Sequence, residues 1–258
     1  MQDDAHIFCR PEQVVAEVRR FALLLRALYR DFGFAAEALQ VGFSTRPPER
    51  AGSDADWDQA EAAPAAAARE AGPAPTPPGG GGAFSGPKVG SKRADRAGRL
   101  WQCGTIQYDL VLPERLEASY VAEDGRPARP VILHQAVLGS IERFLALLLE
   151  QHGGRLPLWL APEQLLVASV SEVAAEAARA AAAAFERAGL RVRLDDGPER
   201  LGRKLARARQ LGIPALAVVG QAEAAEGSVS LTLPERDAAR LPLAGAAERL
   251  AALATAPG

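Results

Sequence analysis

The chain has 258 residues, of which 48 % are hydrophobic and 5 % aromatic, and its formal net charge at pH 7 is −2. This length suits one or two globular domains. A nearly neutral chain has no overall field that attracts nucleic acid, so we expect no DNA partner, and any RNA site must be a local basic patch.

Cysteine content and hydropathy favour a cytoplasmic protein. The sequence has only two cysteines, Cys9 and Cys103, too few for the disulfide framework of a secreted domain. Its first residues, Met-Gln-Asp-Asp-Ala-His, are acidic and form neither a secretory nor a transit signal. No apolar stretch approaches the ~20 residues that cross a membrane. We therefore expect a reducing compartment and no membrane partner.

The first 50 residues predict a strand, a helix and a second strand. Residues 7–9 are apolar and suit a buried strand. A helix can begin at Pro11, because valines, leucines and a phenylalanine then recur at helical spacing until Gly33. Residues 39–44 read as the next strand.

The following segment predicts less regular structure. Residues 53–71 begin as a helix that Pro64 interrupts, and residues 72–82, rich in Pro and Gly, read as a flexible linker. Residues 89–98 are polar and lack the alternation of a strand, so regular structure is expected to resume at Leu100.

Residues 100–152 predict antiparallel strands that lead into a helix. The expected elements are strands at 101–112, 118–122 and 131–133, a hairpin turn at 123–125 and a helix at 139–152. Such an order is typical of an α+β layer.

Two polar clusters in this half are candidate sites. His134 lies at a strand end and Arg143 in the first helical turn after it, which suits a charged substrate. The alternative is a core histidine and a surface ion-pair partner. Residues 2–9 combine two Asp, a His and a Cys, which is compatible with a metal site or with a solvated chain start.

Strands and helices alternate after Gly153-Gly154. The expected elements are strands at 165–170, 190–194 and 215–219, helices at 171–188 and 199–211, a hairpin around Glu226-Gly227 and a last helix from about Gly245. This order predicts a small α/β domain.

The second helix of this domain carries four basic residues at positions i, i+3, i+4 and i+7, namely Arg200, Arg203, Lys204 and Arg207. On one helix face they form a basic stripe that suits a phosphate backbone, while Leu201, Leu205 and Ala208 face the core. The alternative is a solvated helix face.

Four motifs follow one another in a fixed order. They read Gln-Asp-Asp-Ala-His-Ile-Phe-Cys at 2–9, Cys-Gly-Thr-Ile-Gln at 103–107, Arg-Pro-Val through His134 to Leu-Gly-Ser-Ile-Glu-Arg-Phe at 129–144, and Pro-Leu-Trp-Leu-Ala-Pro at 157–162. In order and spacing they resemble threonyl-tRNA synthetases, which are class II aminoacyl-tRNA synthetases. The resemblance implies a partial α+β antiparallel-sheet class II catalytic core at 1–157, followed by a small α/β anticodon-binding domain at 158–258.

The resemblance also implies an activity and its ligands. The family activates threonine with ATP and Mg²⁺ and transfers it to threonine tRNA, as a homodimer with a catalytic zinc. His6 and His134 resemble two zinc ligands. Arg143 resembles the class motif 3 arginine that binds ATP, and it is a predicted catalytic residue together with Gln107. The predicted substrate-binding residues are Gln2, Asp4, Lys88 and Gln107, and the predicted tRNA-binding residues are Arg200, Arg203, Lys204, Arg207 and Glu223.

The chain departs from the family at several of these positions. The zinc-binding Cys of the family lies upstream of the first motif and is absent here, as are class motif 1 of the dimer interface and motif 2, whose arginine holds the α-phosphate. A pocket Tyr is replaced by Ser85, and the Arg after the motif 3 histidine by Gln135. Other tRNA-reading positions hold Pro198, Gly212 and Thr232.

Three interpretations follow. The first is a truncated threonine–tRNA ligase that is not competent alone, with a zinc site that is incomplete and weak. The second is a non-catalytic tRNA-binding or regulatory fragment. The third is a reading frame that begins upstream of Met1.

Overall fold

The computed structural model describes residues 1–35, 39–70, 82–234 and 236–257, without the side chains of residues 63, 64 and 66–70. The chain divides into two compact units, Met1–Glu150 and Gln151–Gly258. The division that the sequence predicts falls after residue 157. The predicted linker at 72–82 lies outside the described residues except for Gly82, whose backbone N–H donates to the Thr45 carbonyl.

The first unit is built on a five-stranded antiparallel sheet. In spatial order its strands are β1 (Ala5–Cys9), β7 (Val131–Ala136), β4 (Leu100–Asp109), β3 (Lys88–Ala94) and β2 (Gln40–Ser44). The remaining elements are a 3₁₀ turn (Pro11–Gln13), the helices α1 (Val14–Asp31), α2 (Asp54–Glu70), α3 (Leu112–Arg115) and α4 (Ile141–Gln151), and a small hairpin of β5 (Tyr120–Val121) and β6 (Pro127–Ala128).

Helix α1 covers one face of this sheet. It buries five side chains at helical spacing, Val14, Val18, Phe21, Leu25 and Tyr29. The approach is close at Gly104 of β4, because a Cβ there would lie 2.7 Å from Leu25 Cδ1 and 2.5 Å from the Val137 carbonyl oxygen. The helix therefore leaves the opposite face of β4, which carries Thr105, Gln107 and Asp109, open for a site.

Two predictions for the middle of this unit are wrong. Residues 88–94 form β3 in the interior of the sheet, where the buried Ser91 hydroxyl donates to the Gly104 carbonyl at 3.1 Å. A polar side chain can occupy an inner strand when it has a hydrogen-bond partner. A strand of this kind need not alternate polar and apolar residues, and the sequence pattern therefore failed to predict it. Helix α2 continues through position 64 to Glu70, although an interior proline disfavours a helix by ~3 kcal/mol.

The hairpin prediction is correct for the turn and wrong for the return strand. Residues 120–121 pair with residues 127–128, in a separate two-stranded sheet. The segment after it, β7, pairs instead with β1 and β4. β7 is therefore an inner strand of the large sheet, and its first three residues are apolar and buried.

The second unit is a small α/β domain. Its sheet has the order β12 (Ala239–Pro242), β11 (Ser228–Thr232), β10 (Ala215–Val219), β8 (Leu165–Ser169) and β9 (Val192–Asp195), with β9, β8 and β10 parallel and the other two antiparallel. Its helices are a 3₁₀ turn (Glu172–Ala174), α5 (Ala175–Arg187), α6 (Leu201–Gln210), α7 (Gln221–Glu226) and α8 (Leu243–Leu253).

Two apolar clusters stabilise this domain. The larger one joins α5, α8 and the sheet around Phe185 and Leu250, and the smaller one places Leu201, Leu205 and Ala208 of α6 against the sheet. The predicted hairpin at 226–227 is wrong. Residues 221–226 form α7, and Gly227 ends it in the left-handed conformation at φ +63° before β11 begins.

None of the helices in the described ranges is long and apolar enough to cross a membrane.

Candidate active site and RNA-binding surface

Four predicted site residues form one row across the first sheet. His6 lies opposite His134, His134 opposite Gln107, and Gln107 opposite Lys88, on four adjacent strands. Directly paired residues in antiparallel strands project to the same side of a sheet. We refer to His6, His134, Gln107 and Lys88 as the polar row.

A cavity of about 300 Å³ opens over three members of this row, His6, His134 and Gln107, whereas Lys88 is not among its lining residues. Its lining combines the predicted residues Asp4, His6, Gln107 and His134 with residues that were not predicted as ligands, namely Ala5, Ser85, Thr105, Asp109, Gln135 and Ala136. The Gln107 side-chain amide donates to the Ser85 hydroxyl at 2.9 Å. Thus the serine that replaces the family's tyrosine fixes the orientation of a predicted substrate contact.

Asp109 is the buried carboxylate of this cavity. One of its oxygens, Oδ2, lies 2.6 Å from His134 Nε2, and the other accepts hydrogen bonds from the Val111 and Leu112 backbone N–H groups at 2.7 and 2.9 Å. The same side chain therefore accepts from the first backbone N–H of α3 and orients the His134 ring.

Asp3 holds the joint between β7 and α4. Its carboxylate accepts three backbone hydrogen bonds, from Val137 at 2.9 Å, Leu138 at 2.8 Å and Gly139 at 2.9 Å. Gly139 has φ +77°, which an L side chain rarely adopts. A clamp from the chain start thus sets the path of the segment between His134 and Arg143.

Arg143 lies near the start of α4 and outside the cavity lining. It is exposed, its Nη1 donates to the Gln102 carbonyl at 3.2 Å, and its guanidinium stands 5.5 Å from the Trp101 ring centroid. Gln2 forms an isolated backbone bridge with Ser140 beside it. The structure therefore separates the predicted residues of this unit into the cavity group, Lys88 beside Gln107 at the end of the polar row, and a further group, Arg143 and Gln2, near the start of α4.

The donors present do not fit a three-ligand zinc site. The rings of His6 and His134 are neighbours, with centroids 4.6 Å apart, but in the described part of the chain no group of three His, Cys, Asp or Glu side chains could hold a metal. Cys9 and Cys103 are both buried, and burial raises the pKa of each thiol. Both cysteines therefore favour the thiol form over the thiolate that binds zinc.

The predicted basic stripe on α6 is wrong for Lys204. Arg200, Arg203 and Arg207 are exposed, whereas Lys204 is only 1 % exposed. Its ammonium donates to the Ser169 carbonyl at 3.0 Å, the Ser169 hydroxyl at 3.2 Å and the Asp195 carbonyl at 3.0 Å. The ends of β8 and β9 offer buried acceptors, so this lysine turns inward and is unavailable to RNA.

Arg207 is exposed and Glu223 is partly buried, and both already have charged partners within the second unit. Arg207 forms ion pairs with Asp195 and Glu199. Glu223 accepts hydrogen bonds from the Gly220 backbone, the Ser230 hydroxyl and Arg240. Among the predicted tRNA contacts, Arg200 and Arg203 alone form no ion pair within the described residues.

Glu223 predicts a pH-dependent contribution to stability. Hydrogen bonds from its own backbone N–H, from Ser230 and from Arg240 lower its pKa from 4.5 to about 2. A depressed carboxyl pKa stabilises the fold above the unfolded value of 4.5, and this contribution is lost as the pH falls through about 2. We expect E223Q to lower the free energy of unfolding at pH 7 by at most ~3 kcal/mol, and by less at pH 3. Urea unfolding at both pH values, with E248Q as the exposed control, measures this. An E223Q deficit that is equal at pH 7 and pH 3 contradicts it.

Asp3 and Asp109 are carboxylates that hold the site together through hydrogen bonds, and neither role was predicted from the sequence. A signal for Asp109 existed, since it stands two residues after Gln107 on the same strand face and three residues before α3 begins. No local signal identifies Asp3, because its three partners are 134 to 136 residues away along the chain.

Comparison with known proteins shows the family. Residues 1–152 match the tRNA synthetase class II core domain (G, H, P, S and T), and residues 164–253 match an anticodon binding domain. The predicted fold class, an antiparallel α+β core followed by a small α/β anticodon-binding domain, is thereby confirmed.

Individual relatives point in the same direction. Threonine–tRNA ligase from Caulobacter sp. (strain K31) is 50 % identical over 89 % of the chain, and that from Phenylobacterium zucineum (strain HLK1) is 49 % identical over 99 %. The chain spans only 35 % and 39 % of the lengths of these two relatives. Among solved structures, the RNA binding domain of threonyl-tRNA synthetase from Cryptosporidium parvum Iowa II matches with a TM-score of 0.92 and 35 % sequence identity. The match covers 100 % of this chain and 64 % of the Cryptosporidium chain. The chain therefore belongs to the class II tRNA synthetase family, within which it resembles threonine–tRNA ligases over nearly its whole length.

Proposed function

We propose that residues 1–258 supply part of the amino-acid pocket and the anticodon-reading domain of a threonine–tRNA ligase, which activates threonine with ATP and transfers it to threonine tRNA. The observation that carries this proposal is the polar row, because four residues matched to the family from distant motifs meet on one sheet face and three of them, His6, Gln107 and His134, line one cavity.

The cavity suits a small polar amino acid. In the proposed mechanism the exposed Asp4 carboxylate binds the threonine ammonium group. The Ser85 hydroxyl holds the Gln107 amide nitrogen, and this leaves the Gln107 carbonyl oxygen to accept a hydrogen bond from the substrate. Asp109 keeps the His134 ring in place from below. Zinc takes no part in this proposal, since the described donors do not fit it.

ATP with Mg²⁺ supplies the phosphoanhydride that activates the threonine carboxylate. Arg143 is the residue proposed to hold its triphosphate, because a guanidinium is permanently charged and presents a planar fork to phosphate oxygens. The Trp101 ring and the Gln102 carbonyl restrain this side chain, which reduces the entropy lost when a phosphate binds.

A polypeptide of residues 1–258 alone is expected not to form threonyl-adenylate. It contains no counterpart of the motif 2 arginine. In its described residues, no third metal ligand joins the imidazoles of His6 and His134. Threonine-dependent exchange of pyrophosphate into ATP is the measurement, with a full-length threonine–tRNA ligase as the positive control. Exchange by the isolated polypeptide that depends on threonine contradicts the expectation.

The second candidate function is non-catalytic binding of tRNA, which the two unpaired cations Arg200 and Arg203 favour. We expect R200A/R203A to weaken binding of a threonine tRNA transcript about tenfold and to reduce the salt slope by roughly one per lost phosphate contact. R207A is expected to change less, since Arg207 is neutralised by Asp195 and Glu199. Fluorescence anisotropy over a salt series measures both. Equal effects of the two variants would show that exposure alone, and not pairing, decides the contribution.

The proposed location is the cytoplasm, where charged tRNA is consumed by ribosomes. Two cysteines that are both free and buried accord with a reducing compartment.

A further inference from the structure

Ser85 lines the cavity of the first unit on a turn that is fastened to β4. Its carbonyl accepts a hydrogen bond from the Leu110 N–H at 2.8 Å, and the Pro87 carbonyl accepts one from the Tyr108 N–H at 3.0 Å. Gly86 lies between them, so close to β4 that a Cβ there would be 1.7 Å from the Tyr108 carbonyl oxygen. The backbone therefore sets the position of the Ser85 hydroxyl.

The side chains of Ser85 and Gln107 form a pair that keeps one free donor and one free acceptor. The Gln107 amide nitrogen donates to the Ser85 hydroxyl oxygen at 2.9 Å. Within the described ranges this is the only hydrogen bond that either side chain forms, so the hydroxyl proton and the Gln107 carbonyl oxygen are both available. A ligand hydroxyl can accept from the first and donate to the second. The three groups then close a ring in which each donates to the next, and such bonds strengthen one another.

Two carboxylates of the cavity are less suited to a ligand hydroxyl. Asp109 already bonds His134 and two backbone N–H groups, and Asp4 is the partner proposed for the ammonium group. A metal is no alternative, because the described His, Cys, Asp and Glu side chains do not form a three-ligand zinc site. In the described lining, the bond between Ser85 and Gln107 is the one that holds a free donor beside a free acceptor.

We propose that Ser85 and Gln107 together recognise the side-chain hydroxyl of the amino acid and so distinguish threonine from valine. The proposal rests on the proposed function and deepens it, because it assigns specificity to a hydrogen-bonded pair where the described donors do not fit zinc. Valine has nearly the same shape, but its methyl group would leave the donor and the acceptor without partners. The pair is particular to this chain, since the family that the motifs resemble has Tyr in place of Ser85.

The first measurement is an NMR titration of the full chain with L-threonine, L-serine and L-valine in the presence of EDTA. A fully desolvated hydroxyl site rejects the analogue by a factor of ~10⁴ to 10⁵, but Ser85 and Gln107 are only partly buried, so we expect threonine to bind about tenfold more tightly than valine. The side-chain amide resonances of Gln107 are expected to shift with threonine and serine and to stay in place with valine. Discrimination that appears only after addition of Zn²⁺ would assign it to a metal and overturn the proposal.

The second measurement is the ratio of threonine to valine affinity in three variants. S85A lacks the donor, and in Q107E the carboxylate accepts the Ser85 hydroxyl proton and leaves none for the ligand, so we expect both ratios to fall to within about twofold of one. S85T retains the hydroxyl and is expected to retain most of the ratio. A ratio is insensitive to a general loss of affinity, and the amide spectrum of each variant reports its fold.

S44A is the matched control for S85A. Ser44 pairs with Lys88 at the outer strand β2 and does not line the cavity, so the same change of side chain is expected to leave the ratio at about tenfold. An S85A ratio equal to that of S44A overturns the role of the serine hydroxyl.

Titration with D-threonine separates the failure of this proposal from that of the proposed function. If L-threonine binds and S85A leaves its preference over valine unchanged, the hydroxyl pair is wrong while the amino-acid pocket stands. If L- and D-threonine bind equally and both depend on Ser85, the hydroxyl pair stands while the amino-acid pocket fails. Absence of binding by all four amino acids overturns both.

Discussion

Replacement of Asp3 by alanine is expected to lower the free energy of unfolding of the first unit by about 3 to 5 kcal/mol. The carboxylate accepts three backbone hydrogen bonds at 2.8 to 2.9 Å, and bonds to a charged group contribute ~1.5 to 3 kcal/mol each without being additive. Alanine leaves three half-buried N–H groups without an acceptor at a turn whose Gly139 is already in the left-handed region.

Two variants show whether the clamp itself is responsible. D3N keeps acceptor capacity but loses the charge and one acceptor oxygen, so we expect an intermediate loss of about 1 to 2 kcal/mol. D4A removes the neighbouring, exposed carboxylate and is expected to stay within ~0.5 kcal/mol of the unmodified chain. Urea unfolding followed by tryptophan fluorescence measures stability, and hydrogen exchange at Val137, Leu138 and Gly139 localises the effect. Equal losses in D3A and D4A would assign the effect to net charge.

The Asp3 clamp also connects stability to the site. The turn at 137–139 lies between His134 in the polar row and Arg143 on α4, so a loosened turn uncouples the two groups of candidate residues. The joint at 129–150 was predicted from sequence as a strand that passes into a helix, and the structure has β7 and α4 there. What holds this joint could not be predicted, because its clamp is at the other end of the first unit's sequence.

Elements buried on both faces could be predicted closely from the sequence. Residues 165–169 form β8 where a strand at 165–170 is predicted, since a short continuous run of apolar residues is typical of a strand that is buried between two parallel neighbours. Strand β3 could not be predicted, because its polar residues are satisfied by tertiary contacts, with Ser91 on the Gly104 carbonyl and the Arg93 guanidinium 4.4 Å from the Phe34 ring centroid. Local pattern carries no information about such partners.

The candidate site shows the same division. Motif resemblance supplied His6, Gln107 and His134, but only strand pairing places them in one row. On α6 the helical period correctly put Leu201, Leu205 and Ala208 toward the apolar cluster and wrongly put Lys204 with the exposed arginines. A lysine at the border of a helix face can turn either way, and the buried carbonyls of Ser169 and Asp195 decide it.

Replacement of Lys204 by alanine is therefore expected to destabilise the second unit by about 3 to 5 kcal/mol, rather than to weaken RNA binding directly. The substitution leaves the Ser169 and Asp195 carbonyls without their donor, removes an ammonium 3.7 Å from the Asp195 carboxylate and opens a cavity where a fully buried stem had packed. R203A, one position earlier and exposed, is the matched control and is expected to stay within ~0.5 kcal/mol.

A third variant, K204M, shows whether the hydrogen bonds of the ammonium contribute more free energy than the burial of its charge costs. Methionine retains most of the apolar stem and fills the space, but it donates no hydrogen bond. If the three bonds outweigh the free energy of burying the ammonium, K204M loses about 2 to 3 kcal/mol and lies between K204A and the unmodified chain in urea unfolding. If desolvation of the charge outweighs them, K204M is as stable as the unmodified chain, and the loss in K204A is then a packing effect alone. The first outcome is expected, because three acceptors within 3.2 Å surround the ammonium of a side chain that is fully buried.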